Sequence, residues 1–337
     1  MVIRLGVIGL GHWGPNYVRN FGYLSDRAKI VAVSDLNPRS FAKLASPTPG
    51  AVFYRDWQEM LAKEDLDAVI ISTPAKTHFK IARICLLKNK HVLVEKPLAL
   101  KVKEAKGLLT LAKSRRKILM VGHTFLYNLS VRKVKEYIDK GRIGRIYYMQ
   151  AVRTHLGLIR DDVDAAWDLA THDVAIFNYL IGAEPQSVVA CGGEYLKAGK
   201  KDAAFITLFY PAGILGNIQV SWIDSNKVRQ IVVVGSKSRV VFNDLDSLEP
   251  VRVYKKGVSV ERPVKDFGEF KLLLRDGDII SPKIEPREPL SLVCEHFIDC
   301  IKSRRRPITD GASGLAVVRV MCAIEKSMKN RGRLIKI

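Results

Sequence analysis

The sequence predicts an α/β protein in two parts: a doubly wound parallel sheet, then an α/β domain with an open, mostly antiparallel sheet. Three observations carry this. An apolar run at residues 4–8 enters a glycine-rich hook, Gly9-Leu10-Gly11-His12-Trp13-Gly14. From there to residue 122, continuous apolar runs alternate with amphipathic stretches, as strands buried on both faces alternate with helices. Beyond it, shorter runs of β character follow one another between turn signals such as Pro211-Ala212-Gly213.

The first elements form a nucleotide-binding unit. A second apolar run, residues 30–34, stops at Asp35, completing the order strand, glycine turn, helix, strand, acid. Gly9 allows the tight turn, Gly11 lets backbone N–H groups approach a pyrophosphate, and Gly14 lets the helix pack on the strand. The pyrophosphate then sits on the helix N-terminus, where unpaired N–H groups and the dipole favour an anion. His12 and Trp13 lie inside the same turn. Asp35 falls where a carboxylate accepts from both ribose hydroxyls, which favours NAD. Arg39 and Lys43 just downstream leave NADP open.

The alternation then continues. Asp56 suits an N-cap. Residues 68–72 read as a buried strand ending in Thr73-Pro74, 76–88 as a helix, 91–95 as a strand, 101–114 as a helix and 118–121 as a strand. The Rossmann NAD(P)-binding domain is thereby predicted over 1–122 and a substrate-binding and oligomerisation domain over 123–337. In the second, a helix at 131–140 precedes a long strand at 146–153. A helix at 167–180 is stopped by Gly182. Strands follow at 187–192, 204–209, 216–222, 230–234 and 239–242, and helices near 292–302 and 314–329 complete this half.

Bulk properties agree. A chain of 337 residues, 47% hydrophobic, exceeds what one core usually organises. No apolar stretch is long enough to cross a membrane. A strand beginning close to Met1 predicts no signal peptide and a cytoplasmic location. Five cysteines without metal or CxxC spacing read as reduced thiols, and no metal site is expected. The net charge of +21 raises the question of nucleic acid. The basic residues, however, are spread along the chain, and the tightest runs, residues 114–117 and 303–306, lack interleaved aromatics for base stacking. No nucleic-acid partner is predicted; the excess suits an acidic metabolite or a heat-adapted surface.

Ligands of such sheets sit at the carboxyl ends of the strands. Here those ends carry Thr73-Pro74, Glu95-Lys96-Pro97 and Gly122-His123. A lysine straight after a buried strand, with proline fixing the turn, sets an ammonium in the cofactor cleft. There it can donate a proton or hydrogen-bond a substrate oxygen. A surface lysine snorkelling over the strand end gives the same pattern. In the second half, Asp168 and His172 are four apart and share one helix face. Removing a hydroxyl proton during hydride transfer needs a base that titrates near neutrality, as His172 does. A capping aspartate with a structural histidine is the alternative.

Taken together, the glycine hook, Thr73-Pro74, Glu95-Lys96-Pro97 and Asp168 with His172 resemble the Gfo/Idh/MocA oxidoreductases over essentially the whole chain. The resemblance implies an open second-domain sheet that forms a homodimer or homotetramer, and Lys96, Asp168 and His172 around the reacting carbon. It implies cofactor contacts from Gly9, Gly11, His12, Trp13, Gly14, Asp35, Thr73, Pro74, His78, Glu95 and Lys96. Substrate contacts follow from Lys96, His123, Tyr127, Arg153 and His172. Trp13, with Pro15-Asn16 and Arg19-Asn20-Phe21, is most similar to members of nucleotide-sugar and polysaccharide pathways, UDP-N-acetylglucosaminuronate 3-dehydrogenases among them. One departure stands out: residues 161–167 replace the glycine run that leads many relatives into the Asp-xxx-His motif, so the pocket roof differs. Arg153, His155 and Arg160 precede it and suit a carboxylate or phosphate; Arg153 equally fits a strand-edge cation.

The expected activity is NAD(P)-dependent hydride transfer between nicotinamide and a secondary alcohol or ketone of a sugar or nucleotide-sugar. Two alternatives stay open. One is an enzyme of the same fold that recycles a tightly bound NAD, as a glycosidase or an internal oxidation–reduction. The other is a non-catalytic NAD-sensing regulator, against which the joint retention of Lys96, Asp168 and His172 speaks.

Overall fold

The structure, a computed structural model, describes residues 2–42, 44, 50–157, 159, 162–260 and 272–337. The chain begins with β1 (Ile3–Ile8), α1 (Gly14–Gly22), β2 (Ala28–Ser34), α2 (Arg39–Ala42), β3 (Val52–Tyr54), α3 (Trp57–Lys63), β4 (Ala68–Ile71), α4 (Ala75–Leu87), β5 (His91–Glu95), α5 (Val102–Ser114) and β6 (Leu119–Gly122). It continues through α6 (Leu129–Asp139), β7 (Ile146–Leu156), α7 (Thr171–Ile181), β8 (Ser187–Gly193), β9 (Ala203–Phe209), β10 (Leu215–Ser221) and β11 (Ile223–Gly235). Then come β12 (Arg239–Asn243), β13 (Val251–Tyr254), β14 (Gly257–Val260), β15 (Leu272–Arg275), β16 (Ile279–Ile280), α8 (Pro289–Ser303), α9 (Gly311–Lys329) and β17 (Ile335–Lys336).

The first sheet has the order β3-β2-β1-β4-β5-β6, every neighbour parallel. This is the doubly wound order, with its switch between β1 and β4. Its central strands are buried on both faces, which explains their unbroken apolar sequences: Val7, Val69, Ile70, Val92 and Leu93 are fully enclosed. Asp56 caps α3 as expected, accepting from Gln58 N–H at 2.8 Å.

The second large sheet has the order β16-β13-β12-β11-β7-β10-β9-β8-β17. Only β7 and β10 pair in parallel; the other pairings are antiparallel. Pro211-Ala212-Gly213 makes the β9–β10 turn, with Ala212 and Gly213 both at positive φ. Met149 and Ala151 face inward, while Tyr148, its partner Leu215 and, further along the sheet, Phe205 stay exposed on the other face. Gly182 ends α7 in the left-handed conformation, at φ 77°.

Two compact units emerge: Met1–Asn128 with Arg287–Cys322, and Leu129–Pro286 with Ala323–Ile337. The division therefore differs from one made at Gly122. Leu126 and Tyr127 are buried in the first unit, and α8 with the first half of α9 belongs there too. Leu315 and Val318 of α9 join its core cluster, Arg19 of α1 pairs with Glu288 at 2.5 Å, and Val121 N–H donates to the Thr309 carbonyl. Amphipathicity announces that a helix buries one face; it does not announce against which sheet. Among the described residues, no helix is long and apolar enough to cross a membrane.

Candidate active site

In the first unit the glycine hook is built by close approach. Gly9 holds φ +93°, and a Cβ on Gly14 would stand 2.1 Å from the Gly9 carbonyl oxygen. Both positions exclude a side chain on the chain's own account. Ser72 Oγ donates to the same carbonyl at 2.8 Å, tying the hook to the end of β4. Gly11 is different: a Cβ there would meet nothing within 4 Å. No packing demands glycine at that point, so the bare backbone leaves open space at the hook. Beyond it α1 starts without a side-chain cap; Pro15 carries no N–H, and the Asn16 N–H donates to the Trp13 carbonyl at 3.0 Å, so the amides of the hook itself are the donors open to an anion. His12 is exposed, and its ring meets Trp13 edge-on at 5.6 Å.

Asp35 does more than its position suggested. Its Oδ2 accepts from Leu10 N–H at 2.6 Å and its Oδ1 from Asn37 N–H at 2.8 Å, so it shapes the hook while staying half-exposed. Arg39 is exposed, and Lys43 lies outside the described residues. Thr73 and Pro74 form the entry to α4, where Thr73 Oγ1 and Thr77 Oγ1 are 2.6 Å apart. His78, expected to touch the cofactor, instead turns inward. It is fully buried, with Nδ1 2.7 Å from the Pro97 carbonyl and Nε2 2.8 Å from the Thr73 carbonyl. The strand-end carbonyls on either side capture the ring and make it a brace between two turns.

At the end of β5, Lys96 is only 9% exposed, so little of the side chain lies over the surface. Glu95 is buried beside it; Oε1 accepts from Tyr17 O–H at 2.6 Å and Oε2 from Lys96 N–H at 3.1 Å. Burial, reinforced by the Glu95 charge, pushes the Tyr17 hydroxyl well above its usual range. A Cβ on Gly122 would lie 2.8 Å from the Tyr17 oxygen and 2.9 Å from Glu95 Oε1, so glycine makes room for this pair. His123 is 2% exposed, and neither ring nitrogen finds a hydrogen-bond partner among the described residues. Burial, with the Lys96 charge adding to it, pushes His123 down to about 3, so the ring is neutral near neutral pH. Tyr127, expected to contact substrate, is fully buried, its hydroxyl 3.1 Å from Thr309 Oγ1 and its ring against His296. Its position in the turn after β6 places it in the core.

These features fit a dinucleotide. Open backbone at Gly11 matches a pyrophosphate, and the two unpartnered ring nitrogens of His123 beside Lys96 match a polar group at the β5 and β6 ends. No group of three or more potential metal ligands occurs among the described residues.

In the second unit, the helix expected over 167–180 is in fact a π-helical turn, Ala166–Ala170, followed by α7. Asp168 lies in the turn and His172 in the helix, so the regular four-residue face argument does not carry across the junction. Both side chains are partly exposed. Asp164, not Asp168, is the capping acid, accepting from Trp167 N–H at 2.9 Å. Asp168 Oδ2 instead accepts from Trp222 Nε1–H at 3.4 Å. Arg153 sits on β7 in mid-sheet, fully paired on both sides, so it is no edge cation. Its Nε and Nη2 donate to Asp173 at 3.0 and 2.8 Å inside the core, which takes these donors away from the substrate anion expected for them. Burial alone would lower the Arg153 pKa; the charge and hydrogen bonds of Asp173 outweigh it and raise it. His155 is half-buried and pushed down by burial and then by Arg229. Arg160 and Asp161 lie outside the described residues.

The parts played by Tyr17, Ser72 and Trp222, and the pairing of Asp173 with Arg153, are not written in the sequence pattern. Of these only Tyr17 carried a signal, an aromatic three residues past Gly14 on the inward face of α1.

Two family models match the chain. One, described as an oxidoreductase family with an NAD-binding Rossmann fold, covers residues 3–123; the other, the GFO/IDH/MocA C-terminal domain, covers 131–241. Myo-inositol 2-dehydrogenase of Thermotoga maritima is 26% identical, with 98% of this chain and 97% of that protein aligned. UDP-N-acetylglucosamine 3-dehydrogenase of Acidithiobacillus ferrooxidans is 27% identical, over 96% and 97% respectively. The fold is that of the WlbA dehydrogenase from Bordetella pertussis, solved with NADH and UDP-GlcNAcA. The TM-score is 0.81 at 23% identity, covering 100% of this chain and 99% of that one.

Proposed function

The chain belongs to the Gfo/Idh/MocA oxidoreductases, a family with an NAD-binding Rossmann fold, and from that premise we propose that it oxidises a ring secondary alcohol of a sugar or nucleotide-sugar, or reduces the corresponding ketone. The observation that carries this reading is Lys96, a buried lysine at the end of β5 next to the neutral His123, whose ring nitrogens have no hydrogen-bond partner among the described residues.

NAD, when bound, supplies the hydride acceptor at nicotinamide C4. The backbone donors of the hook at the start of α1 would hold the pyrophosphate, and the half-exposed Asp35 would accept from ribose hydroxyls. Lys96 Nζ hydrogen-bonds the reacting oxygen, stabilising charge that develops there. His172 takes the hydroxyl proton as the carbon gives up its hydride, and returns it in the reverse direction. Asp168 orients or tunes one of the two. His123, uncharged, offers one N–H and one lone pair to the cofactor amide or the substrate.

A nucleotide-sugar is the favoured substrate class. The relatives include a UDP-N-acetylglucosamine dehydrogenase, and a chain of net charge +21 attracts an anionic metabolite. The exposed sheet face with Tyr148, Phe205 and Leu215 is the surface we assign to a homodimer or homotetramer, and the cytoplasm is where we place the reaction. The test is NADH formation, read by absorbance, with purified protein, NAD and a panel of myo-inositol, UDP-N-acetylglucosamine and UDP-N-acetylglucosaminuronate. Growth of NADH with one of them supports the reading. Silence across the panel despite NADH binding contradicts it and favours a recycled cofactor or a sensor.

A further inference from the structure

Lys96 is flanked in sequence by two residues that the fold ties to different helices. Before it, Glu95 Oε1 accepts from the hydroxyl of Tyr17 on α1 at 2.6 Å, while Glu95 Oε2 accepts from the amide of Lys96 itself at 3.1 Å. After it, the Pro97 carbonyl lies 2.7 Å from Nδ1 of His78 on α4, and Nε2 of the same ring lies 2.8 Å from the Thr73 carbonyl. A doubly protonated ring donates to both carbonyls and a neutral ring to one. Tyr17, His78, Glu95 and Pro97 are all buried, so water does not compete for these bonds.

We propose that Tyr17 and His78 are positioning residues that hold the Lys96 turn from both sides and so fix where its ammonium can reach. The proposal rests on Lys96 acting at the reacting oxygen, as above. A lysine side chain has a flexible four-carbon stem with large rotamer freedom, so a fixed base narrows its reach. The two helices chosen are telling. α1 follows the glycine hook and α4 follows Thr73-Pro74, so the seat of Lys96 is referenced to the two turns assigned to the cofactor. Gly122 completes the device, since any Cβ there would displace the Tyr17–Glu95 pair. Neither Tyr17 nor His78 needs to touch substrate; each acts through the backbone around Lys96.

The test uses Tyr17→Phe, which removes one oxygen and keeps the ring, and His78→Phe, with His78→Gln restoring a donor. Amide hydrogen exchange over residues 95–98 is read without substrate, NADH binding by fluorescence, and kcat and KM with whichever panel sugar turns over. The expected result is exchange faster by about fivefold to tenfold, as loss of one buried hydrogen bond implies. NADH affinity and KM stay near wild type while kcat falls about tenfold to a hundredfold, the cost of a misplaced catalytic group. His78→Gln recovers part of the kcat. A purely structural role would lower the thermal midpoint and leave kcat per folded molecule intact; that outcome, or unchanged exchange, overturns the proposal. Lys96→Ala separates the two levels. If it turns over like wild type, the role of Lys96 fails; if it is inactive while Tyr17→Phe and His78→Phe keep full kcat, only the bracket fails. Should the wild type turn over no sugar of the panel, the reading of Lys96 fails and the positioning role with it, whatever the exchange rates.

Discussion

Arg153 and Asp173 form a two-pronged ion pair in the core of the second unit, Nε and Nη2 of one donating to the carboxylate of the other at 3.0 and 2.8 Å. Asp173 directly follows His172, so the pair anchors the first turn of α7 to the middle strand of its sheet. Removing one partner leaves an uncompensated buried charge. Arg153→Met or Asp173→Asn is therefore expected to cost about 3–5 kcal/mol in urea unfolding. The double change Arg153→Met with Asp173→Leu, which leaves no charge behind, is expected to cost much less. Equal losses in the single and double variants would mean that packing, not charge, sets the effect.

Gly11 and Gly14 predict opposite outcomes for the same substitution. At Gly14 an added methyl meets the Gly9 carbonyl at 2.1 Å, so Gly14→Ala should destabilise the fold by about 1–3 kcal/mol. At Gly11 it meets no protein atom, so Gly11→Ala should keep the thermal midpoint of wild type. It should nevertheless weaken NADH by about tenfold or more, a cost of about 1.4 kcal/mol, because the methyl stands where the pyrophosphate approaches. Thermal unfolding beside NADH fluorescence titration checks both. Retention of NADH affinity in Gly11→Ala would remove the hook from the binding site.

How far the sequence could be read depended on the range of the interaction. The hook, the Asp35 stop, the Asp56 cap and the Gly182 terminus are local devices written within a few residues, and all appear in the structure. The β7–β10 parallel pairing and the grouping of α8 with the first unit depend on partners far along the chain, which periodicity does not name. Side-chain direction was equally hidden. His78, in the first turn of α4, and Tyr127, in the turn after β6, lie just beyond strand ends suited to a ligand, yet both turn into the core, where carbonyls and Thr309 meet them. The π-helical turn under Asp168 has no signature within residues 165–171, whose apolar composition also suits an α-helix.

Acid stability should follow two histidines. Burial, reinforced by a nearby lysine in each case, pushes His91 down to about 4 and His123 down to about 3, from an ordinary 6.5. His91 Nδ1 also accepts from Ile118 N–H at 3.0 Å, a bond its protonation would abolish. Both groups are neutral in folded and unfolded chains above pH 6.5, so their contribution is complete there. As pH falls below 6.5 the unfolded chain takes up protons first, and each group removes about 1.4 kcal/mol per pH unit at most until its folded value is reached. Urea midpoints across this window should fall, and His123→Phe should flatten part of the decline. A midpoint independent of pH in wild type would show that these rings are not held neutral by the fold.

The most direct test of the account is turnover of Lys96→Ala beside wild type, on the panel sugar that yields NADH, with NADH affinity measured on the same samples. The prediction is a loss of turnover of about a hundredfold to a thousandfold, the usual worth of a donor that stabilises charge developing on the reacting oxygen, with NADH binding retained. Turnover at the wild-type rate would contradict it and return Lys96 to a structural role.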